Sequence, residues 1–177
     1  MRVAMLAIVA VCGYQALPAQ SSVVIRQHQV GPVLIGASAQ SIYAAFRGRS
    51  RLIDLGLEGH LTPALELSFA ETFVDGGVVA ELVPRDNDLV VWRIAVTNPN
   101  VRTDKGIGVG SSVAQLRSAY RTTGVGSGEG NVFVTVEELG ASFQLDTSGP
   151  GGDRLWRIRD PQQVPGDVKI ASVLLVR

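Results

Sequence analysis

Apolar and polar residues alternate with a period of two along much of this chain, and in two places the period lengthens to that of a helix. Leu65, Leu67 and Phe69 alternate with Glu66 and Ser68, the pattern of a strand with one buried and one wet face. Asp75-Gly-Gly77 is a hairpin signal, because glycine reaches the positive φ such turns need, and Val78 to Val83 reads as the return strand. After a polar turn at Pro84 to Asp88, Leu89 to Thr97 is the strongest strand pattern, with Val90, Trp92, Ile94 and Val96 on one face and Arg93 interrupting the other. Val132, Val134 and Val136 alternate with Phe133 and Thr135, and Ala141, Phe143 and Leu145 with Ser142, Gln144 and Asp146. Arg154 to Arg159 reads as another strand, and Ile170 to Val176 as a terminal apolar one. Ser22 to Gln29 holds a short strand led by Val23-Val-Ile25, while Leu52 to Leu57 fits a strand or a helical turn equally well. Four glycines in Gly124-Val-Gly-Ser-Gly-Glu-Gly130 predict a mobile loop.

The helical stripes are Ala39, Ile42, Ala45, Phe46 and Val113, Leu116, Ala119, Tyr120. Both sit in similar contexts. Placing Gly36 on Gly110, an offset of 74 residues, aligns Val33 with Ile107, Ile35 with Val109, Ser38 with Ser112 and Ile42 with Leu116. Ser112 with Gln115 predicts a capping box, and Ser38 predicts a simple N-cap. A second echo joins Val91-Trp-Arg-Ile94 to Leu155-Trp-Arg-Ile158 at an offset of 64 residues. Two echoes in the same order predict an internal duplication. The expected fold class is therefore α+β, with two tandem strand–helix–antiparallel-sheet repeats whose helices pack on one face of the sheet. The expected boundaries are a signal peptide over 1–19, a first repeat over 20–104 and a second over 105–177.

Composition narrows the function classes. A chain of 177 residues with 46% apolar content builds a real core. Its formal charge is zero, so it lacks the basic footprint that nucleic acid or an anionic membrane surface requires. Arg2, the apolar run Val3 to Cys12 and the small residue Ala19 form a secretory signal with cleavage after Ala19, leaving a mature chain that starts at Gln20 and has no stable membrane span. Val9-Ala-Val-Cys12-Gly13 approaches a lipoprotein box, but Val11 is bulky where a small residue belongs, so lipid attachment at Cys12 is the lesser alternative. The expected location is periplasmic or secreted.

Candidate chemistry is sparse. Gly106-Ile-Gly-Val-Gly110 lacks the preceding strand of a dinucleotide fingerprint and the lysine of a phosphate loop. His28 and His60 are the only histidines, too few to converge on a metal. Asp86-Asn-Asp88 lacks the rest of a calcium loop, and Glu137, Glu138 and Asp153 are carboxylates at turns. Ser111 and Ser112 open a helix without a Gly-x-Ser-x-Gly elbow. Trp92 and Trp156, at matched positions of the second echo, read as sheet residues, with a partner-facing pair as the alternative. No catalytic, cofactor-binding or metal-ligating residue is assigned.

The glycine turn with a Ser or Thr opening a helix, followed by a strand meander, resembles exported bacterial domains of the BamE-like and β-lactamase-inhibitor-protein-like group. Arg102-Thr-Asp-Lys-Gly-Ile-Gly-Val-Gly110 also resembles a turn found in uncharacterised exported bacterial proteins. The resemblance covers most of the mature chain. Ala37 stands where the group often has methionine, and the paired cysteines of the inhibitor repeats are missing, so no interface residues carry over. The resemblance implies architecture and export; the signal, the duplication and the lack of catalytic groups lead to the expectation of a non-enzymatic binding or interaction protein of the bacterial cell envelope, with another envelope protein as partner. The alternatives are a lipid-anchored outer-membrane assembly factor, and a hydrolase built around Ser111 or Glu129.

Overall fold

The computed structural model describes residues 23–69 and 76–176. The signal expected over 1–19, with Cys12 and Ala19, lies outside the described residues, as does Asp75 of the expected hairpin turn. The described residues open with β1 (Val24–Arg26), β2 (Gln29–Val30), β3 (Val33–Leu34) and helix α1 (Ala39–Ala45). It continues through β4 (Ser50–Asp54), β5 (Pro63–Leu67), β6 (Val78–Arg85), β7 (Asp88–Val96) and β8 (Arg102–Thr103). Helix α2 (Val113–Ala119) leads into β9 (Gly124–Gly128), β10 (Asn131–Val136) and β11 (Ala141–Leu145). Helix α3 (Gly152–Leu155) and β12 (Ile170–Val176) complete it.

These elements form an eight-stranded antiparallel sheet, ordered β4-β5-β6-β7-β12-β11-β10-β9, and a four-stranded sheet, β3-β2-β1-β8. The α+β expectation of two strand–helix–sheet repeats covered by helices is thereby corrected: the protein is mostly β. The helical stripes bury Ala39, Ile42 and Phe46, and Val113, Leu116 and Tyr120, while Ala45 is exposed; α1 and α2 span only seven residues each. Helices that short are marginal alone and persist because one face is packed. The core face of the large sheet is covered jointly by the helices and the small sheet. Ile25, Val30 and Val33 from the small sheet, Ile42 and Phe46 from the α1 segment, and Val113 and Leu116 from α2 are buried in one cluster with Leu65, Ile94, Val96, Phe143 and Leu175. Full burial of a Leu, Ile or Phe side chain stabilises by about 1.5–3 kcal/mol, so this layer supplies the main driving force.

The helix starts behave as their sequences predict. The Ser38 hydroxyl accepts from Ser41 N, and Ser112 and Gln115 form a reciprocal capping box. Gly36 and Gly110 turn the chain into each helix at φ of +89° and +81°, where a side chain is strained. Gly36 N donates to the Val91 carbonyl at 2.7 Å, and Gly110 N to that of Ile170 at 2.8 Å. In return Val91 N donates to Ala37 O and Ile170 N to Ser111 O, both at 2.9 Å. The counterpart of the Val91 strand is therefore β12, not Leu155-Trp-Arg-Ile158. The central register agrees: Ala95 faces Leu174, while Ile94 faces Leu175 and Val96 faces Val173.

Three local expectations are corrected. Arg154 to Arg159 is no strand: Gly151 turns at φ +86° into the short α3, whose Leu155 is buried. Leu155 and Ile158 stand three apart, the spacing of one helical face; in a strand they would point to opposite sides. The glycine-rich Gly124 to Gly128 segment is β9, because backbone pairing with β10 needs no side chains. Finally, β7 carries a bulge. Glu81 pairs with Arg93 and Leu82 with Val91, so Trp92 is the extra residue. Val91, Ile94 and Val96 face the core, and Val90 and Trp92 do not.

Candidate binding groove

The β7 bulge decides the chemistry of the sheet's open face, since an extra residue re-aims the side chains beside it. Trp92 stays 40% exposed, and the neighbouring Arg93 is buried against Glu81 of β6. Arg93 Nε donates to Glu81 Oε1 at 2.8 Å, and Nη1 donates to Glu129 Oε1 and Oε2 at 3.1 and 3.3 Å. The Arg93 guanidinium also lies 5.0 Å from the Trp92 ring centre. Burial works against its charge, yet the hydrogen bonds and negative charges of Glu81 and Glu129 outweigh this and hold its pKa above the ordinary arginine value. Glu81 is buried too, and its Oε2 has no hydrogen-bond partner.

Glu129 arrives from the far end of the sheet. The β9–β10 hairpin closes through Glu129 and Gly130, both at positive φ, as a two-residue hairpin turn prefers. Asn131 Nδ2 donates to the Glu129 carbonyl at 2.9 Å, Gln144 Nε2 to Asn131 Oδ1 at 2.7 Å, and Ser172 Oγ to Gln144 Oε1 at 2.7 Å. A polar ladder thus crosses β10, β11 and β12 and sets the height of the hairpin tip. Ser172 follows a bulge at Ala171, in the way Arg93 follows Trp92.

Two hollows flank Glu129. One, of about 260 Å³, lies between the hairpin and the sheet, against Arg93, Phe133 and Leu174. The other is a groove of about 740 Å³ between the β4–β5 connection and β6–β7. Leu57, His60 and Leu61 line one wall, Trp92 and Pro84 the other, and Glu81, Arg93 and Glu129 also line it. Leu57 and Leu61 are 40% and 86% exposed and, with Trp92, gather three large apolar side chains around the buried Glu81–Arg93 pair. Asp54 shapes the entry loop: its Oδ1 accepts from Gly56 N and Thr62 N, and the Thr62 bond foremost, then that from Gly56, holds its pKa below the ordinary aspartate range.

The residues singled out in the sequence scatter. His28 does not meet His60: its Nδ1 lies 3.0 Å from the Val176 carbonyl oxygen, and its ring packs on Gly140. Ser111 is buried, and its Oγ accepts from Gly108 N at 3.1 Å and from Arg102 Nη1 at 3.2 Å. The Gly106 to Gly110 turn is held by Arg102, which donates to the Gly106 and Val109 carbonyls. Asp86 and Asn87 form the β6–β7 hairpin turn with Asp88 opening β7, and Glu137 and Glu138 open a 3₁₀ turn. Among the described residues no three His, Cys, Asp or Glu side chains gather as a metal site. Trp156 packs against the core, so the two tryptophans are no matched pair. Only Trp92, His60 and Glu129 reach the groove. Glu81 and Arg93 escape a reading that looks for nucleophiles and ligands. Their signal is a lone acid and a lone base within consecutive apolar strands joined by a short turn, a cross-strand ion pair in waiting.

No protein-family model and no curated protein sequence matches this chain. Among solved structures, the crystal structure of the uncharacterised protein yfeY from Escherichia coli is similar, with a TM-score of 0.58 at 17% sequence identity. The match covers 89% of this chain and 100% of that one. At that identity the likeness concerns the fold alone.

Proposed function

We propose that the protein is a non-enzymatic binding protein of the bacterial cell envelope that receives its partner in the groove between the β4–β5 connection and Trp92. One observation carries this reading: Leu57, Leu61 and Trp92 stay exposed around the buried Glu81–Arg93 pair and the exposed Glu129 that joins it. Exposed aromatic and apolar groups beside desolvated charge are where binding energy concentrates in interfaces. Export rests on the amino-terminal sequence, Arg2 through Ala19. No helix among the described residues is long and apolar enough to cross a membrane. The hydrolase alternative loses support at Ser111, whose hydroxyl is buried and engaged by Arg102 and Gly108.

The test is a photo-crosslinking amino acid placed at Leu61 in the intact cell, with Tyr43 on α1 as the control position. Adducts at Leu61 that are absent at Tyr43 and lost with Trp92→Ala are the expected outcome. Equal adducts at both positions, or none at Leu61, refute the reading. The amino-terminal mass of the native protein separates the export routes: an unmodified start at Gln20 fits a free periplasmic or secreted protein. A lipid-modified Cys12 fits a tethered one.

A further inference from the structure

We infer that the groove takes a protonated amine carried on an apolar body, its ammonium group set against Glu81 and Glu129. This rests on the binding reading above and adds the chemistry of the ligand. Glu81 lines the groove, is buried, and keeps Oε2 without a partner, while Oε1 is occupied by Arg93. A buried acceptor left unpaired is costly, and a ligand that supplies a donor recovers that loss. The cluster holds two carboxylates and one guanidinium, so its net charge is negative. Among the described residues no lysine or arginine other than Arg93 lines the groove, which leaves a cation as the complementary charge. The Glu129 side chain is 61% exposed and therefore free to re-aim toward an incoming cation. Leu57, Leu61 and Trp92 supply the surface for the apolar body, and a groove of about 740 Å³ is of ligand size. An anion meets two carboxylates and finds Arg93 Nε and Nη1 already engaged by them; a neutral apolar ligand leaves Glu81 Oε2 unpaired.

The same chemistry comes either from a free amphiphilic amine or from a lysine side chain on a partner polypeptide. Titration calorimetry on the full mature chain distinguishes these, at about pH 8.5, where a primary alkylamine is charged. The probes are hexylammonium, hexan-1-ol, hexanoate and the capped peptide acetyl-Leu-Lys-Leu-amide with its lysine-acetylated form. Hexylammonium is expected to bind at least about ten-fold more tightly than hexanol, and hexanoate more weakly than either, as a charge-assisted hydrogen bond implies. Glu81→Gln and, independently, Glu129→Gln are expected to shrink the amine-over-alcohol ratio, with unchanged circular dichroism as the fold control. Tighter binding of the peptide than of hexylammonium, lost on acetylation, assigns the ligand to a polypeptide; the reverse order assigns it to a free amine. Equal affinity for hexylammonium and hexanol overturns the inference while the groove reading stands, because the crosslinking test is independent of it. A preference that survives both Glu variants overturns it as well, and so does the absence of binding by every amine probe.

Discussion

Replacing Arg93 with alanine tests the central physical claim, that the open face is organised by a buried ion pair. The side chains of Arg93 and Glu81 are 11% and 5% exposed, and that of Glu129 is 61% exposed. Removing Arg93 strands Glu81 as an uncompensated buried charge whose two oxygens then both lack partners, which costs about 3–5 kcal/mol. Removing Glu129 instead leaves Arg93 with Glu81 and loses a pair that water already screens, so Glu129→Ala costs about 1 kcal/mol or less. Replacing both buried partners with apolar residues, Glu81→Leu with Arg93→Met, removes the pair's attraction and both desolvation penalties, and such replacements are often neutral or stabilising by about 1–4 kcal/mol. The double variant is therefore more stable than Arg93→Ala. Urea unfolding measures all three, read as midpoint shifts at constant slope, with two spectroscopic probes checking that the transition is cooperative. A cost below about 1 kcal/mol for Arg93→Ala, or a double variant no more stable than that single, refutes the account.

Other predictions follow from neighbouring geometry. Gly36→Ala and Gly110→Ala each force a side chain into the left-handed region with open space around it, so both cost about 1–2 kcal/mol, and thermal melts should show the two costs matched. Phe143→Ala empties a fully buried position and costs about 3–5 kcal/mol, whereas Trp92→Ala, at a partly exposed position, costs far less stability while it removes a groove wall; chemical unfolding ranks them. Asp54 and Asp146 have carboxyl pKa values lowered by hydrogen bonds, the first from Thr62 N and Gly56 N, the second from the Ser148 hydroxyl and amide. Because the folded values lie below the unfolded ones, their stabilisation is present above about pH 3.9 and is lost as pH falls through the folded pKa. Carboxyl-carbon NMR titration should find both midpoints below that of an unstructured aspartate, and Asp54→Asn should flatten the acid limb of the stability curve.

How far the sequence reaches is clearest at three places. At α1 and α2 the apolar stripe, the Ser caps and the preceding glycines are all local signals; the caps are realised within three residues, while the stripes and glycines meet the distant sheet where the pattern places them. At Leu155-Trp-Arg-Ile158 a likeness to Val91-Trp-Arg-Ile94 misleads, because four residues carry no lasting period and the surroundings decide between strand and turn. At Gly124 to Gly128 composition suggests mobility, but the backbone groups of β10 were available to pair, and pairing does not depend on what the side chains are.

Alternation, turn chemistry and capping residues thus determined where most strands run, where α1 and α2 begin, and that the chain builds an apolar core; these depend on neighbours within about one turn or one hairpin. Sheet order, the pairing of β7 with β12, and the bulge that places Trp92 beside Arg93 were decided by tertiary structure alone. The candidate groove belongs to that second group. Its acid and base come from β6, β7 and the β9–β10 turn, and its apolar wall from the β4–β5 connection, segments separated by up to tens of residues and joined only when the sheet closes over its core. Register between distant strands is set by which faces bury together, and that is a property of the packed sheet as a whole.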